Sequence, residues 1–234
     1  MAIEHPTIGQ IHSIVGRHFS GRATRFDSEP THDLKSPAQH DAWFGRVAEW
    51  IGPLVDGVGR RVLDPGCATG FFSLIAAELG HDPVGVDISE GMVAEASRKA
   101  AAASLKASFQ VGDAASTGLV PGTFDVVLER HLLWTLPSPA SAVRHWLELL
   151  RPGGRLVSVG VDWRSETGSA TAGDYAPVRP MLPFYGGRPA ADIVTLLTGA
   201  GFVDISVESL HDDVYWLDGR NRDRFAVTGY RGRE

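Results

Sequence analysis

Through the middle of the chain, short apolar runs alternate with stretches whose apolar positions recur at helical spacing. Arg61–Asp64, Val84–Asp87, Ser108–Val111, Phe124–Leu128 and Arg155–Val161 read as strands, each short and bounded by polar or glycine-bearing turns. Between them the spacing predicts helices over Gly70–Leu79, Ser89–Leu105 and Ala140–Leu150. Gly80 signals the end of the first, and Arg151-Pro152-Gly153-Gly154 ends the last, because proline and glycine are poor helix formers. Upstream, Ser36-Pro37 marks a helix start: the serine caps free N–H groups and proline fits the first helical position. Trp43, Val47, Trp50 or Ile51, and Leu54 then form one face that reads as core, and Gly57 and Gly59 break the pattern. This alternation calls for an α/β architecture, a mainly parallel sheet with helices on both faces.

The two flanks have a different texture. Residues 1–35 show weak periodicity with many polar or glycine interruptions and are expected to form an N-terminal cover. Residues 162–188 are rich in Gly, Pro, Trp and Tyr; such a length without periodicity suits a lid or acceptor-binding insertion. Patterning returns with a helix over Pro189–Leu197 and strands over Phe202–Val207 and Phe225–Gly229. Those late strands bring the total to seven and suit an antiparallel C-terminal edge.

Composition narrows the function. A length of 234 residues fits one domain over 1–234. With 22 basic and 28 acidic residues the net charge is -6, which disfavours a nucleic-acid partner needing a basic face. The single cysteine, Cys67, excludes an internal disulfide framework and a multi-cysteine zinc site. A cytoplasmic setting is expected, since no signal-like start and no membrane-spanning apolar stretch is present. No metal is expected: His211-Asp212-Asp213 lacks a converging ligand set. Nothing in the pattern indicates an oligomeric state.

The strongest local signal is Arg61-Val62-Leu63-Asp64-Pro65-Gly66-Cys67-Ala68-Thr69-Gly70, an acidic strand end followed by small-residue turns before a helix. Glycines there let the backbone approach a ligand, and the helix start presents unpaired N–H groups. Asp87 lies 23 residues beyond Asp64, at the tip of the next strand, where a carboxylate can accept both hydroxyls of a ribose. Val111-Gly112-Asp113-Ala114 puts a third carboxylate at the same sheet edge, within the chemistry of an adenine amino group. Together they point to a nucleoside-containing cofactor. A dinucleotide site uses similar geometry, although its third glycine spacing is absent here.

These pieces, with Phe124-Asp125-Val126-Val127 and Leu150-Arg151-Pro152-Gly153-Gly154-Arg155-Leu156, resemble the class I S-adenosylmethionine-dependent methyltransferase family of small-molecule type. The resemblance covers Trp43–Val161 and implies a Rossmann-like seven-stranded sheet. By that resemblance, Asp64 and the loop of Gly66, Cys67, Ala68 and Gly70 approach the methionine portion of the cofactor. Asp87, with Ile88 beside it, holds the ribose, and Gly112, Asp113 and Ala114 line the adenine pocket. Two positions depart from the family. Ala68 replaces the usual glycine, which is tolerable if the backbone there stays at negative φ, and Pro65 replaces an aliphatic residue, holding Asp64 extended.

After the fourth strand comes Glu129-Arg130-His131, a junction that in the family borders both cofactor and acceptor. Glu129 and Arg130 are expected on the cofactor side. His131 is the candidate general base, because an unperturbed imidazole titrates near neutrality. Trp134, Trp163, Tyr175 and Tyr185 offer rings for a planar or apolar acceptor, and Arg188 a partner for an anion. Arg25 and His32 are candidate contributors from the N-terminal segment. The function expected is S-adenosylmethionine-dependent methyl transfer to oxygen or nitrogen of a small molecule, with S-adenosylhomocysteine as product. The alternatives are a NAD-dependent oxidoreductase and a non-catalytic S-adenosylmethionine-binding protein.

Overall fold

The computed structural model describes residues 6–29, 31–164, 177–220 and 222–234. It opens with two helices that weak periodicity did not foretell, α1 (Ile8–Ser20) and α2 (Ala23–Phe26). α1 is started by a capping box: Gln10 N donates to Thr7 Oγ1 at 3.3 Å, and Thr7 N donates to Gln10 Oε1 at 2.7 Å. α3 (Pro37–Ile51) begins as expected, with Gln39 N donating to Ser36 Oγ at 3.2 Å. It stops earlier than its apolar stripe suggests. Gly52 takes φ 82°, a left-handed value, and Pro53 follows, so Leu54 falls outside the helix and is 43% exposed.

The central alternation then unfolds as β1 (Arg61–Pro65), α4 (Phe71–Glu78), β2 (Asp82–Asp87), α5 (Glu90–Ala102), β3 (Ser108–Val111), β4 (Phe124–Arg130), α6 (Pro139–Leu149) and β5 (Leu150–Asp162). The Arg151–Gly154 turn does end the preceding helix, yet it lies inside β5, where the register against β4 shifts between Phe124 and Val126. α7 (Ala190–Ala200), β6 (Val203–Ser209) and β7 (Asp223–Tyr230) complete the chain. The seven strands are ordered β3-β2-β1-β4-β5-β7-β6. β1 to β5 pair in parallel, and β7 inserts antiparallel between β5 and β6.

Alternation along the strands divides the core in two. Leu63, Val127 and Leu156 face Trp146 and Leu149 of α6 and Ile193 and Leu197 of α7. Their neighbours Val62, Val126, Leu128, Val157 and Val159 face Trp43, Val47 and Ile51 of α3 and Phe72 of α4. Burial on both faces fixes strand register, since a one-residue slip would swap the two sets. It also fixes where β1, β2 and β3 end, and the cofactor-type carboxylates stand at those ends. Among the described residues, no helix is long and apolar enough to cross a membrane.

Candidate active site

A cavity of about 490 Å³ opens over the carboxyl ends of the parallel strands, within the range of small-molecule sites, roughly 300–1,000 Å³. This is where ligands bind in open α/β sheets, at the point where strand order reverses, here between β1 and β4.

Asp64 at the end of β1 is 3% exposed and accepts from Ser73 N at 3.0 Å and Ser73 Oγ at 2.7 Å. Burial raises its carboxyl to about 7, against the opposing pull of those bonds. Behind it the chain turns sharply. Gly66 takes φ 69° and donates to Val86 O at 2.7 Å, and a Cβ there would lie 2.6 Å from Leu132 Cδ1. Cys67 N also donates to Val86 O, at 3.1 Å, and its buried thiol is pushed well up by desolvation, as befits an unreactive loop residue. Ala68 adopts φ 47°, so the condition of a negative angle under which alanine fits this turn without strain is not met. Its amide donates to Asp87 Oδ2 at 2.9 Å, a bond that offsets part of the left-handed strain.

Asp87 at the end of β2 is held from both sides, its other oxygen accepting from Ser89 N at 2.9 Å. Burial raises its pKa, against these backbone bonds. The carboxylate keeps acceptor capacity beyond these backbone donors and lines the cavity, so a ribose hydroxyl has an acceptor available there. Asp113, just past β3, accepts from Ala115 N at 2.8 Å, and its second oxygen stands 3.8 Å from His12 Nδ1 of α1. Carboxylate acceptors thus stand at three strand ends around a glycine turn, a set whose chemistry fits the hydroxyls and amino groups of a nucleoside. Ile88 and Ala114 also line the cavity, whereas Gly70 and Gly112 do not reach its wall.

Beyond β4 the picture departs from expectation at Glu129. Its carboxylate accepts from Leu132 N at 2.6 Å, Leu133 N at 3.3 Å and Ser158 Oγ at 2.5 Å, so it braces the following turn and does not line the cavity. Arg130 does line it. Its guanidinium lies 3.7 Å over the Phe71 ring and donates to Thr31 O at 3.0 Å, and burial lowers its pKa to about 10.

His131 occupies the cavity wall with φ 59°, a left-handed angle that residues other than glycine seldom adopt, and its ring stacks on Trp216 at 5.6 Å. Nε2 is buried with no hydrogen-bond partner, and burial followed by the charge of Arg130 holds the imidazole well below its ordinary pKa, hence neutral. His32 lines the same wall, stacked 4.0 Å from Phe26 and lowered to about 4 mainly by burial. Trp134, Trp163 and Tyr185 converge there as well, with Trp134 5.3 Å from Trp163 and 5.8 Å from Tyr185.

Two candidates stand elsewhere. Arg25 is exposed on α2, away from the cavity. Arg188 is spent inside its own turn, donating to Pro183 O, to Gly187 O at 2.9 Å and to Tyr185 O at 3.4 Å. Tyr175 lies outside the described residues. Conversely, His12, His18, Phe19 and Arg22 line the cavity from the N-terminal helices, and Trp216, Arg220, Arg222 and Arg224 from the chain entering β7. The alternating basic residues Arg220, Arg222 and Arg224 were the one sequence signal available for the latter group. Among the described residues no cluster of three or more His, Cys, Asp or Glu is arranged to hold a metal.

Comparison with known proteins agrees with this geometry. Residues 63–158 match the family model described as a methyltransferase domain. The chain is 27% identical over 155 residues to a ubiquinone biosynthesis O-methyltransferase of Pseudomonas fluorescens, covering 66% of this chain and 62% of that protein. It is 31% identical over 144 residues to a ubiquinone/menaquinone biosynthesis C-methyltransferase of Roseobacter denitrificans, covering 59% and 55%. The chain therefore spans somewhat under two thirds of the curated relatives it matches. Among solved structures, the cyclase SpnF shares the fold at TM-score 0.72 and 21% identity, covering 98% of both chains. Geranyl diphosphate C-methyltransferase from Streptomyces coelicolor does so at 0.68 and 12%, covering 97% of this chain and 100% of that one. With the three strand-end carboxylates and the glycine turn in place, residues 63–158 carry a methyltransferase domain, and the chain is similar in sequence to curated O- and C-methyltransferases.

Proposed function

We propose that this protein transfers a methyl group from S-adenosylmethionine to an oxygen or nitrogen of a small organic molecule, leaving S-adenosylhomocysteine. The observation that carries this reading is the cavity itself. One continuous space is lined by the strand-end carboxylates Asp64, Asp87 and Asp113 and also by His131, Trp134, Trp163 and Tyr185. The cofactor, when bound, supplies an electrophilic methyl group on a sulfonium. The chain's part is mainly alignment and exclusion of water.

Asp87 holds the ribose hydroxyls, Asp113 with Ala114 and Ile88 borders the base, and Asp64 with the Gly66–Ala68 turn meets the amino-acid portion. Arg130, fixed on Phe71, borders the same end. His131 is the proposed base. Neutral and unpartnered at Nε2, it accepts a hydrogen bond from the acceptor hydroxyl and takes up the proton as the methyl group is transferred. His32, Trp134, Trp163 and Tyr185 shape the acceptor space, and residues 1–35 and 162–188 are read as its cover and lid. The acidic chain favours a small-molecule partner over nucleic acid, and the lone buried Cys67 suits a cytoplasmic setting.

Calorimetry with S-adenosylmethionine, S-adenosylhomocysteine and NAD tests the reading. Selective binding of the first two is expected, weakened about tenfold or more by Asp87→Ala, the size of a lost charge-assisted hydrogen bond. Mass spectrometry of an acceptor screen then seeks the methylated product. Binding of NAD alone would point to an oxidoreductase, and cofactor binding without transfer to any acceptor to a non-catalytic binding protein.

A further inference from the structure

The acceptor end of the cavity carries a second arrangement that methyl transfer as such does not require. Arg222 and Arg224 enter it from the start of β7, and Arg220 lies just before them. Asp218 orients two of these guanidiniums from behind: its Oδ2 is 2.5 Å from Arg224 Nη2 and 3.5 Å from Arg222 Nη1. Both guanidiniums are also laid against aromatic rings of the wall. Arg224 lies 4.7 Å from the centre of Trp216, the ring on which His131 stacks. Arg222 lies 5.6 Å from the centre of Trp163, which in turn meets Trp134. Planar cations laid over aromatic rings are pre-organised donors, with less freedom left to lose on binding.

Around Trp163 and the three arginines, the described side chains of this wall present donors. Its buried side-chain nitrogens without a partner are His131 Nε2 and Trp163 Nε1, and the latter is an N–H that can only donate. The described carboxylates lining the cavity are Asp64, Asp87 and Asp113 at the cofactor strand ends, and Glu29, which is bound to Arg22 and stands 3.5 Å from His32. No described carboxylate lines the cavity beside Trp163, Trp216 and the three arginines. A protonated amine in this position would face guanidiniums on one side and a sulfonium on the other. An oxyanion would find donors on the wall and an opposite charge at the cofactor.

Resting on the proposed methyl transfer, we propose that the acceptor is an anionic planar molecule, its oxyanion held by Arg222, Arg224 and the Trp163 indole N–H and its ring lying against Trp134 and Tyr185. Net charge gives no hint of this, because the acidic surface and the basic cavity wall average out along the chain. The arrangement selects among small-molecule acceptors by charge as well as by shape.

The test uses the full chain with saturating S-adenosylhomocysteine, whose binding is first established alone. Three probes of one shape are compared by calorimetry: 2-naphthoate, neutral 2-naphthamide and 2-naphthylmethylammonium. Naphthoate should bind about tenfold or more tightly than the amide, the difference expected of one charge-assisted contact, with the ammonium weakest. Raising the salt concentration should narrow the gap. Arg222→Gln should remove most of the preference and Arg222→Lys restore part of it. If the first of these fails to fold, Arg220→Gln, at an exposed position, should still reduce the preference measurably. Equal binding of naphthoate and the amide, tighter binding of the ammonium, or no binding of naphthoate at millimolar concentration would overturn the inference. Failure of S-adenosylhomocysteine to bind would instead remove the reading on which it rests.

Discussion

Asp64 couples the stability of the free protein to its readiness for a cofactor, and Asp64→Asn separates the two. The carboxyl sits fully buried at the end of β1 and titrates at about 7, where an ordinary aspartate titrates at 3.8. Between those values the unfolded chain gives up a proton that the folded protein keeps. Stability therefore falls as pH rises through that window and levels off above it. At about 1.4 kcal/mol per pH unit the whole window amounts to roughly 4 kcal/mol, of which about 2–3 kcal/mol falls between about pH 5 and pH 8. Asparagine keeps the shape and one acceptor oxygen for Ser73 but never ionises, so it escapes this loss. Asp87 and Glu129, also raised by burial, are common to both proteins and cancel.

Urea unfolding of cofactor-free protein at about pH 5, 6, 7 and 8 measures the difference. The stability of Asp64→Asn relative to the parent should improve by about 2–3 kcal/mol across that range. A difference independent of pH, or one that moves in favour of the parent as pH rises, would refute the reasoning. The same variant should bind S-adenosylhomocysteine less tightly, since a neutral amide cannot balance the ammonium of its amino-acid portion. Near pH 6 the parent should also release a proton on binding, visible as a dependence of the binding heat on buffer, which the variant lacks.

Two further substitutions bear on the site. His131→Ala should lower kcat by about a hundredfold or more, the usual contribution of a positioned base, with S-adenosylhomocysteine affinity unchanged by calorimetry; equal losses in both would contradict its role. Because the imidazole is held well below its ordinary pKa, the parent's kcat/KM profile should show no limb near 6.5 from this residue. Ala68→Gly should stabilise the fold by up to about 1 kcal/mol, the left-handed strain relieved less the extra entropy of an unfolded glycine. The alanine methyl packs near Phe26 and Met92, so denaturant unfolding showing a loss above about 1 kcal/mol would mean that packing outweighs strain.

Much of this protein is written locally. The strand–helix alternation, the cap at Ser36 and the carboxylates at Asp64, Asp87 and Asp113 follow from short-range pattern, because each depends on neighbours within a turn or a strand. Burial of both sheet faces then leaves those strand ends a single common edge. Other features needed contacts between distant segments. α1 was obscured because its apolar face, Ile11, Val15 and Phe19, is completed by Val178 and Leu182 from far along the chain, while His12 and His18 on the same helix line the cavity. Glu129 reads like a site residue in sequence, yet Ser158 on the adjacent strand completes its bonding and removes it from the cavity. Arg188 was likewise consumed by carbonyls of its own turn. The sign of φ at Ala68 was decided by Asp87, 19 residues away, whose oxygen captures the Ala68 amide. The acceptor wall shows the division most clearly: His131, Trp163, Trp216 and Arg224 come from β4, the end of β5 and the chain around the start of β7. Sequence determined which residues could cap, turn and line a strand end; only the order β4-β5-β7, set by packing of the whole sheet, decided which of them would meet.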